Sequence, residues 1–297
     1  MLRPPRLRPG DRVAVVAPSS PFDRERFDRG MARLAERYEL APHPSLFERR
    51  RYLAGPDDVR ATALVDAFSD PGNRAVVCAR GGSGASRLLP LIDFGRLPLK
   101  PLVGFSDNIA LHAALQANGR ISIHGPVVTQ LADQPPSVSE RLFALLEGRV
   151  PEPLQGKPLV PGVVEGPLIG GDLTVFATLL GTRWLPDLTG AILVLEEVGE
   201  PPYRLDRVWT HLRNAGVFTR IGGIALGHFL DCEPTDRRYD PHTAREVLVD
   251  LATEADLPCI TDLPIGHGEV NTPVALGARH RLDAHAGTLQ PLEAATA

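Results

Sequence analysis

The stretch Pro101-Leu102-Val103-Gly104-Phe105-Ser106-Asp107-Asn108-Ile109-Ala110-Leu111-His112 passes from a short apolar run into a segment, 109–115, with apolar residues at helical spacing. It reads as a buried strand giving way to a helix, with Ser106 and Asp107 in the turn. A hydroxyl in such a turn points out of the sheet edge, and the backbone N–H groups opening the helix are free to hold a developing negative charge. Ser106 is therefore a candidate nucleophile, and the competing reading is a plain helix N-cap.

Similar units surround it. Val13-Ala14-Val15-Val16-Ala17 reads as a buried strand ended by Pro18-Ser19-Ser20-Pro21, after which Phe22, Phe27, Met31, Leu34 and Tyr38 recur as one helix face. A helix around 57–68, a strand at 75–79, the turn Arg80-Gly81-Gly82-Ser83-Gly84 and a helix through 88–92 repeat the pattern. Alternating strands and helices imply parallel pairing, with ligands gathering at the carboxyl ends of the strands, where both the Gly-rich turn and Ser106 lie. Ser137-Val138-Ser139-Glu140 offers a capping box ahead of a helix ending near Gly148. Prolines 151, 153, 158, 161 and 167 then interrupt any periodicity, and residues 192–195 and 224–226 read as strands separated by a helix over 205–212. The predicted fold class is α/β. An N-terminal parallel-sheet domain of flavodoxin or Rossmann type is expected over residues 1–150, a Pro-rich linker over 151–167, and a C-terminal strand-rich α/β domain over 168–297.

Composition narrows the function classes. The 297 residues, 43% hydrophobic and 23% charged, suit an enzyme-sized globular chain with a real core. A net charge of −4 provides no basic field, which disfavours a nucleic-acid partner and favours small molecules. Cys78, Cys232 and Cys259 are odd in number and widely spaced, so neither a disulfide framework nor a structural zinc site is expected. With no signal-peptide core and no apolar stretch of membrane-spanning length, the expected location is cytoplasmic.

Two further segments carry chemistry. The strand over 192–195 runs into Glu196-Glu197-Val198-Gly199-Glu200, a place for an orienting carboxylate or merely a solvated loop. Pro264-Ile265-Gly266-His267-Gly268 sets a histidine between glycines, where little bulk blocks its ring; the competing reading is a surface turn. Ser106, an acid from 196–200 and His267 together supply nucleophile, orienter and base, in the chain order of α/β-hydrolases. The turn at Ser106 also resembles the nucleophile elbow of those enzymes, although Asn108 stands where that motif wants glycine. Serine is barely ionised at neutral pH, whereas an imidazole can take up and return its proton there.

Several segments in order resemble the LD-carboxypeptidase family of serine peptidases. They are Leu7-Arg8-Pro9-Gly10-Asp11, Arg80-Gly81-Gly82-Ser83-Gly84, Gly104-Phe105-Ser106-Asp107, His124-Gly125-Pro126, Gly170-Gly171-Asp172-Leu173, Leu195-Glu196-Glu197 through Glu200, Tyr203-Arg204-Leu205-Asp206-Arg207 and Pro264-Ile265-Gly266-His267. The resemblance implies a Ser–Glu–His hydrolase that removes the terminal D-alanine of murein tetrapeptide in peptidoglycan recycling. A sister branch with the same triad cleaves peptide–nucleotide antibiotics of the microcin C type. It implies Ser106 as nucleophile, His267 as base, Glu196 as the acid, and an oxyanion hole from the backbone N–H groups of Asp107 and Gly82. It also implies that Ser106 belongs to the first domain, Glu196 and His267 to the second. Phe105 and Ser83 stand where family members often carry tyrosine and another aromatic, which alters the wall of the cleft rather than the chemistry.

The remaining conspicuous groups are read quietly. Gly81-Gly82-Ser83-Gly84 lacks the spacing of a nucleotide loop, and Gly227-His228-Phe229-Leu230-Asp231-Cys232-Glu233 lacks a second ligand cluster, so no cofactor and no metal are expected. His124 reads as a hydrogen-bonded structural histidine and His112 as a helix-packing residue. Arg204 is a candidate for gripping a substrate carboxylate, against the plainer reading of an ion pair at a helix start. The expected partner is a short peptide or peptide conjugate, with a homodimer left open, and neither nucleic acid nor a membrane. The alternative class is a ligand-binding homologue that has lost turnover.

Overall fold

A computed structural model describes all residues of the chain except 237, 239 and 240. The first sheet has six strands in the order β2-β1-β3-β4-β5-β12: β1 (Arg12–Val16), β2 (Glu39–Pro42), β3 (Asn73–Cys78), β4 (Leu102–Gly104), β5 (Ser122–His124) and, from far along the chain, β12 (Val274–Leu276). The first five are parallel, and their order 2-1-3-4-5 is that of flavodoxin-like sheets. Helices cover both faces, which is why β1 is apolar without alternation: Val13 and Val15 join one core, Ala14 and Val16 the other. The loops after β1 and β3, where the strand order reverses, flank the Ser106 turn after β4.

The second sheet has eight strands in the order β6-β14-β13-β8-β9-β10-β11-β7. Here β6 is Leu154–Gln155, β7 Lys157–Val160, β8 Val163–Asp172, β9 Ile192–Val198, β10 Gly223–Leu230, β11 Cys259–Thr261, β13 Arg279–Asp283 and β14 Thr288–Pro291. Strands β8 to β11 are parallel and the rest antiparallel. One apolar cluster built on Leu168, Ile192–Leu195, Trp209, Ile224 and Leu248 fills this half.

Two expectations change on inspection. Residues 151–167 are not a free linker, because they contain β6, β7 and the first half of β8, all hydrogen-bonded into the second sheet. Pro158 is compatible with that because β7 is an edge of the sheet, where a missing N–H costs no ladder bond, Pro151, Pro153 and Pro161 lie outside the strands, and Pro167 sits within β8 opposite Arg279. The capping box at Ser137 is absent: the helix Pro136–Leu146 starts two residues earlier than such a box would place it, with Pro135 at the cap and a proline at its first position.

The halves are tied together physically. Strand β12 leaves the second half to pair antiparallel with β5. Gln116 donates to the Leu168 carbonyl at 3.1 Å, and Gly171 leaves room for Ile109, whose Cδ1 would lie 2.2 Å from a Cβ added there. Among the described residues no helix is long and apolar enough to cross a membrane.

Candidate active site

Ser106 follows β4 with a φ of +61°, a left-handed conformation that only a well-braced side-chain-bearing residue adopts. The brace is a polar network. The Phe105 N–H donates to Asn108 Oδ1 at 3.3 Å, Asn108 Nδ2 donates to Ser19 Oγ at 2.9 Å, and Ser19 Oγ donates to Asp107 Oδ2 at 2.6 Å. Asp107 Oδ2 also accepts from the Ala85 N–H at 2.7 Å, anchoring the Gly-rich turn to the same point. Asn108, the apparent departure from an elbow motif, is thus part of the scaffold, and the close approach falls to other glycines. A Cβ on Gly104 would lie 2.9 Å from Asn108 Cβ, and one on Gly81 2.8 Å from Ser106 Cβ. Gly82, with φ +107°, leaves room for Ser20, whose Oγ accepts from the Ser83 N–H at 3.0 Å.

The second half brings up the other two groups. Glu196 lies near the end of β9, fully buried, and its Oε2 meets His267 Nδ1 at 2.7 Å; the other ring nitrogen, Nε2, faces Ser106 Oγ at 3.2 Å. Gly266 makes that approach possible, since a Cβ there would lie 2.5 Å from Glu196 Oε2. Phe105 backs the imidazole, with ring centroids 4.3 Å apart. Asn271 holds the histidine loop to the first half: its Oδ1 accepts from Gly266 N–H at 3.0 Å, its Nδ2 donates to Gln130 Oε1 at 2.8 Å, and its N–H donates to Gln134 Oε1 at 2.8 Å. Changing Gly266 to alanine should push Glu196 and His267 apart and cost about a hundredfold in kcat/KM with the circular-dichroism spectrum unchanged; full activity in that variant would contradict the contact's importance.

Glu197, on the opposite side of the strand, accepts from the Thr174 and Val198 N–H groups, both at 2.9 Å, and stays away from the histidine. Burial raises its pKa against those two donors. His112 is buried, bonded through Nδ1 to Ser122 Oγ at 2.8 Å, and pushed down by burial to about 4. His124 corrects the expectation of a hydrogen-bonded histidine: neither ring nitrogen has a partner among the described residues, and burial holds the ring neutral with its pKa near 3. It packs edge-on to Phe105 instead. Arg204 is half exposed, with Tyr203 and Glu200 as its partners at 3.2 and 3.4 Å, the ion pair of the plainer reading.

Asp172, Glu196 and His267 place one potential ligand atom each within 4.8 Å of one another. Both imidazole nitrogens are already engaged, by Glu196 and Ser106, so the set offers a cation fewer free donors than a tetrahedral site requires. Ser19, Asn271 and Asp172 carry roles that sequence reasoning did not assign. Only Asp172 had a legible signal, a carboxylate immediately before the apolar run 173–177, where an N-cap belongs.

Comparison with known proteins agrees with this architecture. Residues 13–125 match the LD-carboxypeptidase N-terminal domain and residues 165–282 its C-terminal domain. The chain is 38% identical to the murein tetrapeptide carboxypeptidase of Pseudomonas aeruginosa, across 88% of this chain and 89% of that protein. It is 25% identical to the microcin C7 self-immunity protein MccF of Escherichia coli, across 93% of this chain and 92% of that protein. The crystal structure of muramoyltetrapeptide carboxypeptidase from Oxalobacter formigenes superposes with a TM-score of 0.85 at 28% identity, covering 94% of this chain and 97% of that one. With both domains matched in order, the chain belongs to the LD-carboxypeptidase family and is a hydrolase of the serine carboxypeptidase type.

Proposed function

We propose that this chain is a cytoplasmic murein tetrapeptide carboxypeptidase that hydrolyses the amide between the L-centre of diaminopimelate and the terminal D-alanine during peptidoglycan recycling. The observation that carries the reading is the hydrogen-bonded chain from Ser106 through His267 to Glu196, at 3.2 and 2.7 Å. Ser106 Oγ attacks the amide carbonyl while His267 Nε2 takes its proton, and Glu196 stabilises the imidazolium through Nδ1–H. The N–H groups of Asp107 and Gly82 hold the oxyanion. The tetrahedral intermediate collapses, the imidazolium gives its proton to the leaving amine of D-alanine, and water hydrolyses the acyl-enzyme by the same route in reverse.

The substrate assignment rests on the higher identity to the murein enzyme than to the microcin immunity protein. A direct competition tests it: tetrapeptide and a microcin-like aminoacyl-nucleotide amide are offered together and products followed by chromatography. Release of D-alanine with the nucleotide amide intact is expected, and the reverse preference would overturn the assignment. Activity should also be unchanged after dialysis against EDTA, since the base that activates Ser106 is an imidazole with both nitrogens engaged by protein. Loss restored by zinc or manganese would count against it.

A further inference from the structure

Asp172 ends β8 directly across from Glu196 on β9, in parallel register, so both side chains emerge on one face. Both are buried, and one carboxylate oxygen of each lies within 4.8 Å of the other. Their hydrogen bonds are unequal. Glu196 Oε2 is bonded to His267, while Oε1 is buried with no partner among the described residues. Asp172 Oδ1 accepts one backbone N–H, that of Val175, at 2.9 Å.

Two adjacent buried carboxylates cannot both ionise cheaply, and a buried acceptor without a donor is itself costly. One proton relieves both problems. The carboxylate facing His267 is the one favoured as an anion, which leaves the proton to its neighbour. Building on the serine hydrolase reading above, we propose that Asp172 is a positioning residue: its protonated carboxyl donates to Glu196 Oε1 and holds Glu196 Oε2 on His267 Nδ1.

The surroundings support this. Burial, then Glu197 and Glu196 on β9, then Asp107 after β4, raise Asp172 to about 8, opposed by the Val175 N–H. His267 meets the pair through Glu196 Oε2, and His124, close to Gly171, is held neutral by burial. Below that pH Asp172 keeps its proton, and with it the donor to Glu196. Above it Asp172 ionises, the donor is lost, and Glu196 faces a like charge, so the rate should fall as pH rises through about 8.

Asparagine tests the idea because it can both accept from Val175 N–H and donate to Glu196 without ever ionising. Serine still caps the helix but is too short to reach Glu196. Two readouts are taken across pH 5 to 10: D-alanine release, and phosphonylation of Ser106 by a fluorophosphonate probe. Asp172→Asn should retain most of the wild-type kcat and lose the alkaline descent, whereas Asp172→Ser should lose about tenfold or more in kcat with KM little changed. The inference is overturned if the asparagine variant keeps the descent, if both variants react alike, or if the loss lies in KM. Equal labelling of wild type and Ser106→Ala would instead overturn the nucleophile reading, and this inference with it.

Discussion

Replacing Ser106 with alanine should lower kcat by about a thousandfold or more and leave the melting temperature close to wild type. The proposed attacking oxygen is gone, but the turn loses no brace, because its hydrogen bonds run through Asn108, Ser19 and Asp107 and none of these uses Ser106 Oγ. Among the described residues, the hydrogen bond lost is that to His267 Nε2. Residual catalysis would come from binding and the oxyanion donors. The measurement is single-turnover release of D-alanine, with mass spectrometry for an acyl adduct on the wild type and none on the variant. A folded Ser106→Ala protein with near-normal turnover would end the serine mechanism.

Glu196→Gln should be nearly as damaging, with a loss of about 10²–10⁴ in kcat. An amide nitrogen facing Nδ1 favours the tautomer with its proton on Nε2, which then cannot receive a proton from Ser106. Glu197→Gln provides the contrast. Its amide must meet two backbone N–H donors with one oxygen, so the expected cost is stability, on the order of 1–3 kcal/mol, with most activity kept. Thermal melts and kcat of the two variants decide it, and a greater activity loss at Glu197 would move the acid by one residue.

Much of this was legible because strand and turn chemistry are local. The apolar run before Gly104 and the helical spacing after Asn108 locate Ser106 at the carboxyl end of a parallel strand. Alternation along β9 allows only one of two adjacent glutamates to meet His267, and in the structure it is Glu196. What was hidden depends on contacts distant in sequence. Ser19 reads as part of a proline-bounded turn, and only folding shows it 88 residues away from its partner Asp107. Asn271 looks like any loop asparagine until Gln130 and Gln134 are brought beside it. Prolines in 151–167 signalled a break in periodicity, and nothing local says that two of the strands there, β6 and β7, form the edges of a sheet. His124 was misjudged for a related reason, since a buried imidazole without a polar partner is visible only once its packing against Phe105 is known.

The return of β12 to the first sheet sets an order on biosynthesis. Until residue 276 has emerged from the ribosome, β5 has only β4 beside it, and its outer edge stays open to any other extended chain. At ordinary translation rates the interval lasts on the order of ten seconds, long enough for a nascent chain to pair wrongly or to recruit a chaperone. Truncations that stop short of 274 should therefore aggregate instead of yielding a smaller soluble nucleophile domain.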